Sequence, residues 1–313
     1  MKVLVTGGAG FIGSNVVDGL IAAGHHVAVI DNLSTGRRAN LNNPAAEFFE
    51  FDLRSRHCAD AIRSFEPDII DHHAAQIDVR RSVADPRFDA EVNVLGMLNV
   101  IEAGVASGVK KIVFSSSGGA IYGEQDVFPA PESHPCRPAS PYGLTKRVGE
   151  MYLEWFSLMQ RLPYVALRYA NVYGPRQDPL GEAGVCAIFT GRMLAGQPIT
   201  INGDGGQTRD FVYVGDVVRA NLLALVSDFS GPVNIGTGVE TSVNRVFEVL
   251  AKASGYPHKA SHGPPKPGEQ YRSVIDPSLA AKVLGWRPEA DFETGVARTV
   301  EFFRKAAQSD RSD

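Results

Sequence analysis

Two residues that together can move a hydroxyl proton stand one helical turn apart in this sequence. Tyr142 and Lys146 lie in a segment whose apolar residues recur at helical spacing, so both side chains should project from one helix face. A tyrosine near its usual pKa of about 10 is a weak base at neutral pH, but a neighbouring ammonium favours the phenolate. Hydroxyls from the run Ser115–Ser117, at a predicted strand end, could bond the same reacting oxygen. We therefore expect Tyr142 to take or return a proton at a substrate hydroxyl.

A glycine-rich loop near the start of the chain is suited to a dinucleotide. A short apolar run, residues 3–5, precedes it, and an amphipathic segment, residues 14–23, follows. Between them, glycines recur at Gly7, Gly10 and Gly13. Glycines let the backbone approach a pyrophosphate, and the N–H groups at the start of the next helix favour its charge. This order predicts a nucleotide cofactor.

The residue that follows the second apolar run indicates which dinucleotide is bound. Asp31 lies 18 residues beyond Gly13, where a carboxylate can bind both ribose hydroxyls of an adenosine. The same carboxylate would repel a 2′-phosphate, so the sequence favours NAD over NADP. Arg37 and Arg38 follow closely enough to keep NADP open. A positively charged nicotinamide ring would also favour the Tyr142 phenolate.

Strands and helices must alternate to place these residues at one edge. The β-branched runs are residues 3–5, 27–30, 68–70 and 112–114, and amphipathic segments such as 14–23 and 93–107 lie between them. Such alternation is typical of an α/β fold with a doubly wound parallel sheet of the Rossmann type. Residues 140–160 predict a long helix with Ser140 as N-cap, and Gly24 predicts a left-handed end to the helix at 14–23.

The regular alternation ends near residue 170. We therefore predict a NAD-binding Rossmann domain over residues 1–170 and a smaller α/β C-terminal lobe for the substrate, mainly over 171–313. Part of residues 208–240 is expected to pack back onto the first domain.

Composition is that of an ordinary folded enzyme. Of 313 residues, 44% are hydrophobic and 21% charged, which excludes disorder. The net charge is −4 with no basic block, so a nucleic-acid partner or a membrane surface is not favoured. No segment has the pattern of a signal peptide or membrane span, and the three cysteines have no disulfide or zinc spacing. We predict a cytoplasmic protein.

The adjacent pairs His25–His26 and His72–His73 raise the question of a metal site. Neighbouring histidines point to opposite sides of a strand or loop, and no acidic cluster accompanies either pair. We therefore expect no metal.

Short motifs are spread along the chain, at Thr6–Gly13, Asp31–Gly36, Asp52–Leu53, His73–Gln76, Asn93–Gly96, Ser115–Gly123, Tyr142–Lys146, Arg168–Gly174 and Thr208–Phe211. Together they resemble the motifs of the extended short-chain dehydrogenase/reductases, in the NAD-dependent epimerase/dehydratase group. Within that group the chain is most similar to the UDP-glucose 4-epimerases. The resemblance covers about residues 1–305.

The resemblance implies a role for each matching position. Tyr142 would be the base, Lys146 would hold the nicotinamide ribose, and Ser117 would be the hydroxyl partner. Asp52 and Leu53 would flank the adenine. The cofactor-binding positions that it implies are Gly7, Gly10, Phe11, Ile12, Gly13, Asp31, Asn32, Ser34, Thr35, Gly36, Asp52, Leu53, Ala74, Ala75, Gln76, Asn93, Ser115, Tyr142, Lys146 and Tyr169.

For the substrate, the resemblance implies a nucleotide sugar such as a UDP-hexose. The binding positions that it implies are Ser117, Tyr142, Asn171, Val185, Thr200, Asn202, Arg209 and Arg272. A guanidinium can bind phosphate oxygens bidentately, so Arg209 and Arg272 are candidate clamps for the diphosphate. The best-known bacterial epimerases have Arg-Pro-Gly-Asp where this chain has Lys266–Glu269, so either Lys266 or Arg272 would be the second clamp.

The residues after Ser117 narrow the activity. Similar dehydratases and decarboxylases carry an acidic residue there, whereas this chain has Gly118–Gly119. The resemblance then implies a 4-epimerase that oxidises a sugar hydroxyl, lets the keto sugar turn and reduces it again. A UDP-glucuronate 4-epimerase or another oxidoreductase of the family stays open. A GDP-sugar reductase–epimerase would use NADPH, which Asp31 disfavours. A non-catalytic NAD-binding protein would not need Tyr142 and Lys146.

One position bears on the choice of sugar. In similar epimerases, an aromatic residue four positions after the acid of that loop narrows the sugar pocket. Counting from Glu269 gives Ser273, and a slip of one residue would give Arg272. A small side chain leaves volume for an acetamide, so the position predicts that UDP-GlcNAc and UDP-GalNAc are accepted.

The apolar face of the predicted helix 140–160 has two interpretations. Its members are Leu144, Val148, Met151, Trp155 and Met159. They could belong to the core. In the family, however, two long helices from each subunit form a four-helix dimer interface, so the resemblance implies a homodimer.

Overall fold

Strands and helices alternate along most of the computed structural model, which describes residues 1–179, 184–266, 268 and 270–309. The strands are β1 (Lys2–Thr6), β2 (His26–Asp31), β3 (Glu47–Glu50), β4 (Ile69–His72), β5 (Lys111–Ser117), β6 (Tyr164–Tyr169), β7 (Asn171–Tyr173), β8 (Thr200–Asn202), β9 (Thr208–Tyr213), β10 (Gly231–Ile235), β11 (Glu240–Ser242), β12 (Ser261–Gly263) and β13 (Arg272–Ser273). The helices are α1 (Phe11–Ala22), α2 (Arg56–Phe65), α3 (Val79–Ala84), α4 (Pro86–Ala90), α5 (Met97–Ala106), α6 (Gly118–Ile121), α7 (Pro141–Gln160), α8 (Val185–Leu194), α9 (Val214–Val226), α10 (Val243–Ser254), α11 (Ser278–Val283) and α12 (Phe292–Ser309), with a 3₁₀ turn at Arg38–Asn40 and a π-helix at Glu91–Gly96.

The main sheet positions the site. Within the described residues it holds seven parallel strands, in the order β10-β6-β5-β4-β1-β2-β3. The chain runs outward from β1 to β3 and then returns to β4 on the other side of β1. Such a reversal opens a crevice at the carboxyl ends of the strands. The predicted Rossmann-type doubly wound α/β fold is confirmed.

Helices cover both faces of this sheet. On one face α1 and α9 pack through buried residues such as Leu20 and Val217. On the other, α2, α5 and α7 pack through Ile62, Ile101 and Leu153. The strands between these two cores form a rigid base for the side chains at their carboxyl ends.

The helix predicted at residues 14–23 begins earlier, at Phe11. Gly10 directly precedes it, so the glycine loop enters the helix without a connecting segment. The prediction started late because the apolar repeat begins only at Val16. Gly24 has φ +81°, the left-handed conformation expected at that end.

The predicted helix at 140–160 is α7. The Ser140 hydroxyl accepts a hydrogen bond from the Gly143 N–H at 3.2 Å, which is the predicted N-cap. The interpretation of its apolar face as core is wrong, since Leu144, Trp155 and Met159 are all about half exposed or more. The opposite face is buried instead, because α7 uses it to contact the sheet.

A second, smaller set of elements follows β7. Strand β9 pairs with β7, β11 and β13, and β8 pairs with β12. Helices α8, α10 and α12 pack with them around a separate cluster that includes Cys186, Phe211 and Val246. The described helices include none that is long and apolar enough to cross a membrane.

Candidate active site

The glycine loop forms a tight cradle between β1 and α1. Gly7 has φ +68°, and a Cβ at this position would lie 2.6 Å from the backbone N of Ala74. A Cβ on Gly13 would lie 2.3 Å from the Gly7 carbonyl oxygen. The loop therefore tolerates only glycine at both positions. The loop lies at the carboxyl ends of β1 and β4, where the strand order reverses.

The N-terminus of α1 is open to an anion. Gly10 is the N-cap and has no side chain to bond the first N–H groups, and the first turn contains no acidic residue. Phe11, Ile12 and Gly13 form that turn. Free N–H groups and the helix dipole favour a phosphate at this point, so the residues present fit a dinucleotide.

Asp31 ends β2 beside this loop. One carboxylate oxygen accepts the Ala9 N–H at 3.0 Å and the other accepts the Leu33 N–H at 2.8 Å. Burial raises the pKa of Asp31 above its ordinary value, although both hydrogen bonds oppose the shift. The carboxylate is thus fixed where the adenosine ribose is expected. Gly36, which follows Ser34 and Thr35, lies against it, since a Cβ on Gly36 would lie 2.9 Å from Asp31 Oδ2.

The residues predicted to flank the adenine also lie beside the loop that follows Asp31. Asn32 Nδ2 donates to Asp52 Oδ2 at 3.0 Å. Hydrogen bonds from the Arg54 guanidinium are the main reason why the pKa of Asp52 is lowered to about 2. Leu53 follows and is buried. These side chains form one border of the crevice.

The arginines that kept NADP open are engaged elsewhere. Arg37 forms an ion pair with Asp178 at 2.9 Å, and the Arg38 guanidinium lies 4.5 Å from the centre of the Phe48 ring. The pair with Asp178 also ties the chain after β7 to the cofactor loop, and Arg176 adds a contact at 2.6 Å to Asp18 of α1. No spacing rule in the sequence indicated these long-range ties.

Tyr142, Ser117 and Lys146 converge, although they come from two elements. Ser117 ends β5 and hydrogen-bonds the Tyr142 side chain, while it also accepts the Ala120 N–H at 3.2 Å. Lys146 is 4% exposed and its Nζ donates to the Ser115 carbonyl at 2.7 Å. The same ammonium lies 5.9 Å from the Tyr142 ring centre. This arrangement can pass a proton to or from a bound hydroxyl.

In the protein alone, the acid–base balance differs from the sequence expectation. Burial raises the pKa of Tyr142 to about 12, and the charge of Asp89 adds to the rise, whereas the hydrogen bond with Ser117 opposes it. Burial also lowers the pKa of Lys146 to about 8, against the charges of Asp89 and Glu150. The sequence analysis counted the charge of Lys146 together with that of the nicotinamide ring, and in the protein alone burial is the largest influence on the pKa of Tyr142.

The side chains of Gln76 and Asn93, which were predicted to bind the cofactor, form hydrogen bonds within the protein. Asn93 Oδ1 accepts a hydrogen bond from the Gln76 N–H at 2.8 Å, and Asn93 Nδ2 donates one to the Gln76 carbonyl at 3.0 Å. Both side chains also donate to Asp89, a buried carboxylate that the sequence analysis missed. Their contacts hold the loop after β4, including Ala75, against α7. Tyr169 is likewise buried, with its hydroxyl bonded to Asn221.

The histidine pair of β4 separates onto the two faces of the sheet. His72 contacts Thr6 at 2.9 Å and stacks on Phe114. The His73 ring lies 2.9 Å from Asp71 and is nearly parallel to the Tyr169 ring. In the described part of the chain, no group of three or more His, Cys, Asp or Glu side chains could hold a metal ion.

A cavity of about 300 Å³ lies where the chain enters the second lobe. Its walls include Asn171, Phe211 and Cys186, and Val185 begins the helix beside it. Strand β8 contains the predicted substrate positions Thr200 and Asn202, and between them Ile201 packs in the same apolar cluster as this wall. Its neighbours Thr200 and Asn202 are exposed.

Strand register separates the two predicted phosphate clamps. Asn171 pairs with Phe211, and Ser273 pairs with Arg209. Side chains of paired residues lie on one face, and alternate residues of a strand share that face. Asn171, Arg209 and Ser273 therefore face the same side of the small sheet.

Arg272 pairs with Thr208 and so faces the opposite side. There its guanidinium bonds Glu240 at 2.5 and 3.0 Å and stacks on Phe128 at 3.9 Å. The structure therefore does not bring Arg272 together with Arg209. Lys266 is exposed, and the neighbouring Glu269 lies outside the described residues.

Known proteins are similar to this chain in both sequence and fold. The model of the NAD dependent epimerase/dehydratase family matches residues 3–236. UDP-glucose 4-epimerase from Thermotoga maritima, solved with UDP-glucose, is 50% identical with a TM-score of 0.95, and the match covers 98% of this chain and 100% of that one. The Thermus thermophilus UDP-glucose 4-epimerase, solved with NAD, is 49% identical with a TM-score of 0.92 and coverage of 98% and 100%. UDP-N-acetylglucosamine 4-epimerase from Methanobrevibacter ruminantium, in complex with UDP-N-acetylmuramic acid, is 37% identical with a TM-score of 0.92 and coverage of 97% and 98%.

Proposed function

Because this chain belongs to the NAD-dependent epimerase/dehydratase family, we propose that it is a UDP-glucose 4-epimerase, an isomerase that interconverts UDP-glucose and UDP-galactose. The observation that carries the proposal is the convergence of Tyr142, Ser117 and Lys146 beside the dinucleotide cradle. Gly118 and Gly119 follow Ser117, so the described site has no carboxylate at the position where elimination or decarboxylation would need one.

The residues of the chain account for proton transfer at the sugar C4 hydroxyl. Tyr142 takes the hydroxyl proton while Ser117 holds the oxygen, and Tyr142 returns the proton after the sugar has turned. When bound, NAD would supply a hydride acceptor for oxidation at C4 and a hydride donor for reduction of the keto sugar. Lys146 holds the nicotinamide ribose, and its charge and that of the oxidised ring oppose the effect of burial on Tyr142.

Turning of the sugar requires a firm hold on the diphosphate and space around the ring. Arg209 and Asn171 lie on the sheet face that borders the cavity, so we assign them to the diphosphate. A Cβ on Gly119 would meet only Asn171 Oδ1, at 3.5 Å, which leaves open space beside Ser117. Arg272, occupied by Glu240, is the less favourable second clamp.

Product analysis tests the function. Incubated with UDP-galactose, the protein with its bound NAD should form UDP-glucose until the two reach equilibrium. Conversion of UDP-glucuronate instead, with UDP-galactose unchanged, would replace the proposed substrate by a hexuronate. Absence of any conversion with added NAD would contradict the proposal.

We also propose that N-acetylhexosamines are accepted. Ser273 is buried on the same face as Arg209, and the adjacent Val274 N–H donates to Gln125 Oε1. Within the described chain Gln125 Nε2 is buried with no hydrogen-bond partner, which leaves an unsatisfied donor next to the Ser273–Val274 segment. The similar Methanobrevibacter enzyme is named for UDP-N-acetylglucosamine, which supports the idea.

Replacement of Ser273 by Tyr should lower kcat/KM for UDP-GlcNAc about 10-fold or more relative to UDP-glucose, because the ring fills the acetamide volume. Both substrates are assayed by anion-exchange chromatography, and Ser273→Ala serves as the small control. An unchanged ratio of the two activities in Ser273→Tyr would contradict this assignment.

The exposed apolar face of α7 supports a homodimer. Met151, Trp155, Leu158 and Met159 are each about half exposed or more, on one long helix. Such a stripe is typical of a face that packs against a second copy.

Trp155→Glu should convert the dimer to a monomer in size-exclusion chromatography with light scattering, because a buried unpaired charge opposes association. Val226 on α9 is also exposed, so Val226→Glu is the matched control and should leave the mass unchanged. A monomeric wild type would contradict the assembly.

A further inference from the structure

A buried carboxylate lies beside the proton-transfer residues and has no part in the mechanism above. Asp89 of α4 is fully buried. Its Oδ1 accepts from Gln76 Nε2 at 2.9 Å and from Asn93 Nδ2 at 3.2 Å, and its Oδ2 accepts from Thr145 Oγ1 at 2.7 Å. Each partner is a neutral donor, so Asp89 accepts at both oxygens, as an ionised carboxylate does. Within the described chain no cation pairs with it.

The buried cation next along α7 is Lys146, which directly follows Thr145. Its Nζ is bonded to the Ser115 carbonyl, which carries no full charge. A buried ammonium is costly without a negative charge nearby. Thr145 links the two groups physically, since its hydroxyl donates to Asp89.

The other carboxylate near Lys146 already has its own cations. Glu150 lies one turn further along α7 and pairs with Arg168 at 2.7 Å and Arg147 at 3.0 Å. His72 lies on the β4 side, where burial lowers its pKa to about 3, so it is uncharged at neutral pH. Glu150 therefore divides its charge among Arg168, Arg147 and Lys146, and His72 adds no charge near Lys146.

Apart from Asp89, charged groups on α3, α4 and the π-helix, which pack against α7, are exposed, and several are engaged elsewhere. Arg81 of α3 stacks on Phe88 at 4.0 Å, and Asp85 caps α4 through the Phe88 N–H. Glu91 of the π-helix pairs with Arg54 at 3.4 Å. Strand β5 contributes only serines at this end. Asp89 is thus the buried negative charge, unpaired by any cation in the described chain, that faces the proton-transfer residues.

On the basis of the proposed function, we propose that Asp89 is a positioning residue that keeps Lys146 protonated and so sets the pH range in which Tyr142 can exchange its proton. The carboxylate also fixes Thr145 and Asn93, which hold α7 against the loop after β4. Its charge is the component that a purely structural hydrogen-bond acceptor would not supply.

Removal of this charge should move the acidic and the alkaline limb of the pH–rate profile in the same direction. Without Asp89, the ammonium of Lys146 is less stable and loses its proton at lower pH. The Tyr142 phenolate is more stable and forms at lower pH. Both the acidic and the alkaline limb of the rate profile should therefore move down in pH, by about one unit for the loss of one nearby charge.

The test compares Asp89→Asn with wild type in kcat as a function of pH, with UDP-galactose as substrate. Asparagine keeps the shape and one acceptor but removes the charge. Thr145→Val is the matched control, because it removes a hydrogen bond to Asp89 and retains the carboxylate. We expect both limbs of the pH–rate profile to shift in Asp89→Asn. Thr145→Val should lower kcat without moving either limb.

A second readout needs no turnover. The ¹³Cε signal of labelled lysine, assigned to Lys146 by its loss in Lys146→Arg, should titrate about one pH unit lower in Asp89→Asn than in wild type. An unchanged titration and unshifted limbs in Asp89→Asn would overturn the proposal. If wild type does not epimerise UDP-galactose, the proposed function fails, and the lysine titration still decides the role of Asp89.

Discussion

Replacement of Tyr142 by Phe is expected to lower the rate of UDP-galactose conversion about a thousandfold, a typical loss when a general acid–base group is removed. Phenylalanine keeps the ring but removes the hydroxyl bonded to Ser117. NAD content should remain that of wild type, because the dinucleotide cradle lies in the β1 and β2 loops.

The rate is measured by chromatography of the product sugars, and bound NAD is measured after denaturation. Tyr152→Phe is the matched control, since Tyr152 lies on the same helix and is 38% exposed. Full activity in Tyr142→Phe would exclude the assigned base, and loss of NAD in the same variant would indicate a binding defect instead.

Replacement of Arg168 by Met is expected to lower the free energy of unfolding by about 3 to 5 kcal/mol. Arg168 bonds Glu150 at 2.7 and 2.9 Å, and both side chains are at most 2% exposed. Burial opposes the charge of Arg168, but the Glu150 hydrogen bonds and charge raise the pKa of the guanidinium overall. The variant would leave Glu150 buried with the half-buried Arg147 as its cation and the Ser116 hydroxyl as a neutral donor.

Chemical denaturation measures this loss. The double variant Arg168→Met/Glu150→Gln should recover part of it, because no unpaired charge remains. Arg37→Met removes an exposed ion pair and should cost less than about 1 kcal/mol. Equal losses from Arg37→Met and Arg168→Met would contradict the importance of burial in this pair.

The sequence predicted that Tyr142, Lys146 and Ser117 lie together, because their placement depends on local periodicity. A spacing of four on a helix fixes Tyr142 and Lys146 on one face, and a strand end in a parallel sheet brings Ser117 to the same edge. The same reasoning located Asp31, which ends the strand next to the glycine loop.

Features that depend on packing between distant segments could not be predicted. The role of Asp89 depends on contacts with Thr145, which is 56 positions away, and no motif spacing marks it. The opposite faces of Arg209 and Arg272 depend on strand register, which a two-residue strand does not reveal. Periodicity found the apolar stripe of α7 but not its exposure, because the buried stripe contains Gly149 and Glu150, which contact Phe114 and Arg168.

Transient oxidation at C4 is tested most directly by the fate of the hydrogen on that carbon. The protein is incubated with UDP-galactose deuterated at C4 in ordinary water, and the UDP-glucose formed is examined by NMR. We expect the deuterium to remain on C4 in the product, because it leaves and returns within one closed site. Replacement of the deuterium by solvent hydrogen would contradict oxidation and reduction by bound NAD.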